Sequence, residues 1–269
     1  MAIINRTPDS FFDSGRTFGL DAAVAAALKA AEDGAHWVDI GGVKFAPGPE
    51  VPLAEELDRV IPVVSAVAAG TDAVISVDTF RPEVAAAAIA AGASVINDTT
   101  GIYDHAIAEV VADSKATLVI THSLAVPRTK LSAPPRYEDV VSEVKAFLAD
   151  RVELAISLGI PEDRLVIDPG HDLNKNTQHT LEITRRMNEI ASLGLPLLAA
   201  VSNKDFIGES LGRPKHERQD GTIVAATVCA MLGARIVRMH DVPSAVAAMR
   251  MTEVILGFRA PEWAIHNVG

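Results

Sequence analysis

The stretch VISVDTFRPEVAAAAIAAGASVINDTTG, residues 74–101, contains a complete strand–helix–strand pattern. Two short apolar runs, VISVD (74–78) and SVIND (94–98), flank an alanine-rich segment (82–92) that begins at proline and ends at glycine. Proline suits the first turn of a helix, and glycine commonly follows its last residue. Short apolar runs are typical of strands that are buried on both faces of a parallel sheet. The stretch therefore predicts a strand, its crossover helix and the next parallel strand.

The same pattern repeats along the chain. The predicted strands are residues 2–5, 37–41, 74–78, 94–98, 118–122, 165–169, 197–202 and 235–240. The stretches with helical spacing are residues 22–34, 52–70, 82–92, 105–113, 140–159, 179–194, 221–233 and 243–257. An open doubly wound sheet usually has fewer strands and often a glycine-rich phosphate loop, which the sequence lacks. Eight alternating units instead predict an α/β fold, a single (β/α)₈ TIM barrel in one domain, residues 1–269.

Composition excludes several classes of function. The 269 residues are 49% hydrophobic and carry a net charge of −11, which disfavours general binding of nucleic acid. No basic, apolar leader precedes the first strand, and no apolar run approaches the length of a membrane span. The only cysteine, Cys229, lies in an apolar helical stretch and is expected to fill the core. We expect a cytoplasmic protein without disulfides.

Polar residues recur where the predicted strands end. They are Asn5, Asp39, Asp78, Asn97 with Asp98, His122, Asp168, Ser202 with Lys204, and Arg238 with His240 and Asp241. In TIM barrels the chemistry takes place at this end of the strands. Each residue taken alone could instead cap the following helix or turn. For the whole set that alternative is weaker, because helix caps should fall after the loop and not inside an apolar run.

The set also suggests a ligand. Two carboxylates and an amide can read the donor edge of a heterocycle, and a lysine, an arginine and a histidine can hold phosphate oxygens. A strand-end asparagine can ligate Mg²⁺ beside a phosphate. The sequence has no histidine–cysteine cluster with zinc spacing, no G-x-S-x-G turn and no Walker loop. Zinc hydrolysis and acyl transfer therefore have little support.

Seven stretches together resemble the motif series of the dihydropteroate synthase family. They are IINRTPDSFFDSG (3–15), DIGG (39–42), ISVDT (75–79), INDTTG (96–101), IDPG (167–170), SNKDFIG (202–208) and RMHDV (238–242). The resemblance implies condensation of p-aminobenzoate with 6-hydroxymethyl-7,8-dihydropterin pyrophosphate in folate biosynthesis. No side-chain nucleophile is needed, because positioning and stabilisation of the leaving anion would supply the catalysis.

The resemblance also implies roles for individual residues. Asp78, Asn97, Asp168 and Lys204 would contact the pterin, Arg238 and His240 would hold the pyrophosphate, and Asn5 would bind Mg²⁺. The candidate catalytic residues are Lys204, Arg238 and Asp78. Family members are commonly homodimers that pack through late barrel helices, so a homodimer is expected here.

The segment after the second predicted strand departs from the family pattern. Where the family has Glu-Ser-Thr-Arg-Pro-Gly, this chain has Val-Lys-Phe-Ala-Pro-Gly, so that Phe45 and Ala46 replace the threonine and the arginine. Lys44 is a cation displaced by two residues, which on an extended segment points to the same side as position 46. It partly restores the charge as a substrate-binding residue, or it is simply a solvated lysine.

Other departures lie on the same side of the expected site. Arg6 replaces an apolar residue, Asp205 follows Lys204, Ser123 and Leu124 replace a methionine-containing run, and residues 171–174, HDLN, replace an aromatic- and glycine-rich stretch. The pattern resembles the divergent second paralogues of actinobacteria, which are thought to lack normal synthase activity.

Three functions are compatible with these residues. The first is a synthase whose altered loop weakens or abolishes activity. The second is a catalytically silent paralogue that binds a pterin or an arylamine. The third is a pterin-dependent methyltransferase, against which Arg238, His240 and Asn5 speak because they suit a pyrophosphate.

Overall fold

The computed structural model describes residues 1–7, 19–44, 47–129 and 131–267. The eight predicted strands are all present. They are β1 (Ala2–Asn5), β2 (Trp37–Gly41), β3 (Val74–Asp78), β4 (Val95–Asp98), β5 (Thr117–Thr121), β6 (Leu165–Asp168), β7 (Leu198–Ala199) and β8 (Ile236–Val237). The last two are much shorter than the apolar runs that predict them.

The strands form a closed parallel barrel. Strands β1 to β6 pair in sequence order, and β7 pairs with β8. Ile167 bridges Leu197 at one seam, and Ala2 bridges Met239 at the other. At the second seam the amide of Ile3 donates to the carbonyl of Met239 over 3.1 Å. Because both seams are bridged, the predicted (β/α)₈ architecture is confirmed.

Alternation along the strands divides the barrel interior into an apolar floor and a polar roof. Side chains two residues apart point to the same side of a strand. Val95, Val119, Val166, Leu198 and Ala200 form a separate buried cluster inside the barrel. Polar residues lie two positions after Val95, Val119, Val166 and Ala200, and these are Asn97, Thr121, Asp168 and Ser202. The sequence therefore places its polar groups above the floor, at the carboxyl ends.

Ten α-helices surround the barrel in the described part of the chain. They are α1 (Leu20–Glu32), α2 (Leu53–Ala68), α3 (Pro82–Ala90), α4 (His105–Ala112), α5 (Val140–Ser157), α6 (Thr177–Arg185), α7 (Met187–Ala191), α8 (Asp205–Leu211), α9 (Gln219–Met231) and α10 (Val242–Ile255). None of the helices in these residues is long and apolar enough to cross a membrane.

Two features differ from the prediction. One lies in the helix predicted for 179–194, and the other in the motif 202–208, for which no helix is predicted. The first stretch is split at Arg186, whose guanidinium binds Asp139 and Glu189 with N–O distances of 2.7–3.2 Å. The motif opens into the additional helix α8, which ends at Gly212 in the left-handed conformation. The spacing of apolar residues predicts where a helix lies, but it predicts neither the break at Arg186 nor a helix as short as α8.

Candidate functional site

A cavity of about 590 Å³ lies at the carboxyl ends of the strands. The seven residues predicted to bind substrate all line it: Lys44, Asp78, Asn97, Asp168, Lys204, Arg238 and His240. A second cavity of about 280 Å³ lies at the opposite end, beside Met1, Trp37 and Ile236, and none of the predicted site residues lines it. The first cavity is therefore the candidate functional site.

Arg238 is held under the cavity by two carboxylates from neighbouring strands. Its Nε donates to Oδ2 of Asp39 over 2.6 Å, and its Nη2 donates to Oδ2 of Asp78 over 3.1 Å. Asp39 is fully buried and also accepts hydrogen bonds from Ser76 Oγ at 2.6 Å and Asn97 Nδ2 at 3.1 Å. Bonds to an ionised carboxylate are among the strong hydrogen bonds in proteins. Asp39 is thus the residue that orients Arg238 and Asn97, a role that its strand-end position alone does not reveal.

Asp78 lies beside Arg238 in a poorly hydrated position. Burial raises the pKa of its carboxyl group to about 7, and the nearby charge of Asp39 adds to the rise, while Arg238 opposes it. Only Oδ2 accepts from Arg238, and Oδ1 has no partner among the described residues. Oδ1 can therefore accept a hydrogen bond from a ligand.

Asp168 contributes a second buried carboxyl group. Its Oδ1 accepts the amide of Gly170 over 2.7 Å, and burial raises its pKa although Lys204 opposes the rise. Gly170 has a φ of 67°, and a Cβ there would lie 2.3 Å from the carbonyl oxygen of His122. Only glycine fits this turn, which explains the Asp-Pro-Gly sequence at the end of β6.

Lys204 reaches the cavity from the segment between β7 and α8. Its Nζ donates to the carbonyl oxygen of His171, and burial lowers its pKa. Asn203, immediately before it, has a φ of 58°, a conformation that asparagine tolerates better than most residues. The lysine thus lies opposite Asp168 as a hydrogen-bond donor.

His240 is oriented by a serine on the adjacent strand end. Its Nδ1 lies 2.8 Å from Ser202 Oγ, and its backbone amide donates to the same oxygen over 3.1 Å. Both residues line the cavity close to Arg238 in sequence and space. A histidine ring and a guanidinium are consequently presented from one strand end, an arrangement that can bind an anion.

Asn5 is not among the residues that line the cavity, but it lies beside it. A Cβ built on Gly41 would be 3.6 Å from Asn5 Oδ1 and 3.9 Å from Asp78 Oδ2. No group of three metal-ligating His, Cys, Asp or Glu side chains exists within the described ranges. Magnesium commonly takes only one or two protein oxygens and fills its shell with water and substrate phosphates. An amide oxygen close to Asp78 at the rim of the cavity fits that mode of binding.

Three strand-end residues have structural roles instead. Asp98 accepts from the amides of Thr100 and Ile102, and Asp241 caps α10 by accepting from the amide of Ser244. His122 is buried, and its Nδ1 lies 2.8 Å from Lys175 Nζ. Burial and the nearby lysine lower the pKa of this histidine to about 3. The capping alternative is therefore correct for Asp98 and Asp241.

Residues 171–174, which replace the family's aromatic stretch, connect two neighbouring segments through hydrogen bonds. Asn174 Oδ1 accepts from Ser123 Oγ at 3.1 Å, from the amide of Leu124 at 2.8 Å and from the amide of Ala125 at 3.2 Å. Asp172 accepts from the amide of Phe206 in α8 over 3.2 Å. The residues at 172–174 therefore form a hydrogen-bonded side of the cavity, a role that the sequence alone does not predict.

Arg6 compensates for a proline inside α2. Pro62 has no amide hydrogen, so the carbonyl of Asp58, four residues earlier, loses its helical donor. Arg6 Nη1 donates to this carbonyl over 2.7 Å. The unusual arginine after β1 thus anchors the start of its segment on the neighbouring helix.

Lys44 lines the cavity mouth, and its carbonyl oxygen accepts a hydrogen bond from Arg128 Nη1. Arg128 also lines the cavity, although no motif or periodicity in the sequence predicts a role for it. The substitutions at positions 45 and 46 lie outside the described residues. The interpretation of Phe45 and Ala46 therefore remains a prediction.

Comparison with known proteins agrees with this geometry. The family model described as pterin binding enzyme matches residues 1–240. The chain belongs to the pterin-binding enzyme family. The family resemblance read from the seven motifs is thereby confirmed.

Individual members of the family match almost end to end. The chain is 42% identical to inactive dihydropteroate synthase 2 of Mycobacterium leprae, over 100% of this chain and 94% of that one. It is 38% identical to dihydropteroate synthase of Escherichia coli K12, over 95% of this chain and 91% of that one. The solved structure of Xanthomonas albilineans dihydropteroate synthase with 4-aminobenzoic acid matches with a TM-score of 0.88 and 40% identity, covering 95% and 92%. The likeness to a divergent second paralogue is therefore confirmed as well.

Proposed function

We propose that this chain binds a 6-hydroxymethyl-7,8-dihydropterin pyrophosphate in the 590 Å³ cavity and is a dihydropteroate synthase-type transferase. One observation carries the proposal: Asp78, Asn97, Asp168, Lys204 and Arg238 come from five different strand ends and line a single cavity. The reaction would join p-aminobenzoate to the pterin methylene and release pyrophosphate.

The two ends of the pterin substrate would meet different groups. The carboxyl groups of Asp78 and Asp168 and the amide of Asn97 would accept from or donate to the ring, with Lys204 donating to its carbonyl oxygen. Arg238 and His240 would hold the pyrophosphate oxygens. Asn5 is the residue that would hold Mg²⁺, and the ion would neutralise charge on the leaving pyrophosphate.

The residues that bind the leaving group would carry the catalysis. Arg238 is already oriented by Asp39 and Asp78, so its guanidinium needs little reorganisation when negative charge develops. The cavity would align the amine of p-aminobenzoate with the methylene. Because Ala46 stands where the family has a phosphate-binding arginine, turnover would be weak or absent.

A second function is a catalytically silent pterin- or arylamine-binding paralogue. The observation that favours it is the name of the 42% identical mycobacterial relative, an inactive synthase 2. A coupled synthase assay with Mg²⁺ would separate the two, together with calorimetry using the pterin pyrophosphate with and without p-aminobenzoate. Product formation supports the transferase, and binding without product supports the silent paralogue. Absence of pterin binding would overturn the transferase, and absence of binding of both the pterin pyrophosphate and p-aminobenzoate would overturn both functions.

We further infer a cytoplasmic homodimer. Large apolar side chains are exposed on the two late helices that were expected to pack together, among them Val224 (62%), Met231 (56%), Met251 (55%) and Ile255 (67%). The single thiol, Cys229, is buried and unpaired, which suits a reducing compartment. Light scattering after gel filtration, with Met231→Glu as the test and Leu211→Glu as a control on a different helix, would measure the oligomeric state.

A further inference from the structure

Arg128 contacts the segment after β2 on both sides of residues 45 and 46. Its Nη1 donates to the carbonyl of Lys44, and its Nη2 donates to the carbonyl of Pro49 over 2.8 Å. In return, the amide of Gly48 donates to the carbonyl of Arg128 over 3.2 Å. One arginine therefore joins two segments that are 79 to 84 residues apart in the chain.

The position of Gly48 also depends on Arg128. A Cβ at Gly48 would lie 2.8 Å from Arg128 Nη2, closer than side chains normally approach, although the glycine's φ lies outside the left-handed region. A side chain at Gly48 would therefore make the end of the Arg128 side chain shift, whereas the backbone conformation itself would tolerate it. The lack of a side chain at Gly48 thus leaves room for Arg128 Nη2 to reach the carbonyl of Pro49.

The segment that carries Arg128 is itself braced. Asn174 Oδ1 accepts from the amides of Leu124 and Ala125 before Arg128, and the carbonyl of Asn174 accepts from Tyr137 Oη over 3.0 Å after it. Arg128 has a φ of 65°, which is costly for a residue with a side chain and persists only where surrounding contacts fix it. The guanidinium is consequently presented from a fixed position.

We propose that Arg128 is a positioning residue that fixes the segment after β2 at the cavity mouth and keeps Lys44 in the cavity lining. Two parallel N–H donors suit this task, because they can hold two carbonyl groups at once in a defined plane. A lysine would supply three donors from a single nitrogen and would lose the fixed plane of the guanidinium. The expected effect of Arg128 on pterin pyrophosphate binding rests on the proposed function. The expected effect of Arg128 on the position of the segment after β2 does not.

Amide hydrogen exchange of the ligand-free protein tests the positioning directly. We expect amide exchange in the peptide that contains Lys44 and Gly48 to accelerate about tenfold or more in Arg128→Gln. This substitution removes the guanidinium, and the expected acceleration corresponds to the loss of about one charge-assisted hydrogen bond. Gly48→Ala keeps the arginine but makes its guanidinium shift, so it should accelerate exchange less than Arg128→Gln does. Arg128→Lys should lie between wild type and Arg128→Gln. Unchanged exchange in Arg128→Gln, or wild-type exchange in Arg128→Lys, would overturn the proposal.

Arg185→Gln is the matched control, because Arg185 is an exposed arginine on α6 whose ion pair with Glu182 lies outside the cavity. It should leave exchange at Lys44 and Gly48 unchanged. In the ligand arm, Arg128→Gln should speed the dissociation of the pterin pyrophosphate about tenfold without lowering the thermal midpoint as a folding defect would. If the wild-type protein binds no pterin pyrophosphate, the proposed function is wrong. The hydrogen-exchange experiment on the ligand-free protein would still test the role of Arg128, because it needs no ligand.

Discussion

Asp39 and Arg238 lie 199 residues apart in sequence, yet their side chains form a 2.6 Å ion pair beneath the cavity. Asp39 is fully buried, and Arg238 keeps only 18% of its side chain exposed. A buried pair of this kind contributes little if both partners are removed together, but breaking it leaves an uncompensated charge. The pair therefore positions the guanidinium more than it stabilises the fold.

Removing the carboxylate of Asp39 should destabilise the protein and abolish pterin binding together. We expect Asp39→Asn to lower the free energy of unfolding by about 3 kcal/mol, because Arg238 loses its closest buried partner. Urea denaturation and calorimetry with the pterin pyrophosphate measure the two effects. Asp33→Asn, which removes an exposed pair with Lys29, serves as the control and should change neither quantity much. A normal Kd in Asp39→Asn would contradict the orienting role.

The raised pKa of Asp78 predicts a pH dependence of stability. The folded carboxyl group titrates at about 7, whereas the unfolded group titrates near 3.8, so between these values the folded state binds more protons. The free energy of unfolding should consequently fall, because of this group, as the pH rises from about 4 to 7, with no further loss above that range. Asp78→Asn should lack this component when urea midpoints are compared across the range. Parallel curves for the two proteins would show that the pKa is not raised.

Arg6 and Pro62 should be energetically coupled. Arg6→Met leaves the carbonyl of Asp58 without its donor, while Pro62→Ala supplies the missing helical amide. We therefore expect Arg6→Met to cost about 1 kcal/mol in the wild-type background and less in Pro62→Ala. A double-mutant cycle from chemical denaturation measures the difference. Equal costs in both backgrounds would mean that Arg6 does not serve the proline site.

Restoring the family residues after β2 should raise turnover. Phe45→Thr combined with Ala46→Arg returns a guanidinium to the pyrophosphate, and we expect a gain of about tenfold to a thousandfold in kcat/KM. The coupled synthase assay measures kcat/KM. The expected gain is inferred from the sequence, because both positions lie outside the described residues. Lys44→Ala in the restored background reports whether the lysine still contributes. No gain in the restored protein would refute the account of this loop.

Much of the barrel could be predicted because each strand combines an apolar run with a polar end. The residues of β3 show this: Val77 belongs to the core, while Asp78 reaches the cavity. Period-two alternation then identifies which polar side chains share the roof of the barrel. Fold and cavity lining are thus encoded in local patterns that a single sequence displays.

The remaining features depend on partners far away in the chain. The break at Arg186 needs Asp139, the role of Asp39 needs Arg238, and the role of Arg128 needs carbonyl groups about eighty residues earlier. No periodicity reports such pairings, because each side chain alone looks like a solvated charge or a turn residue. A glycine such as Gly48 likewise reads as a flexible turn until its neighbour is known.

The closing seam between β8 and β1 has a consequence for synthesis. Arg238 follows the final strand, whereas the carboxylates that orient it belong to β2 and β3. A nascent chain that has released its first seven strands from the ribosome still lacks Arg238 and His240, which both line the cavity. Ligand cannot assist the folding of such an intermediate through those two side chains, so any gain in yield that depends on them must arise after the last strand has docked.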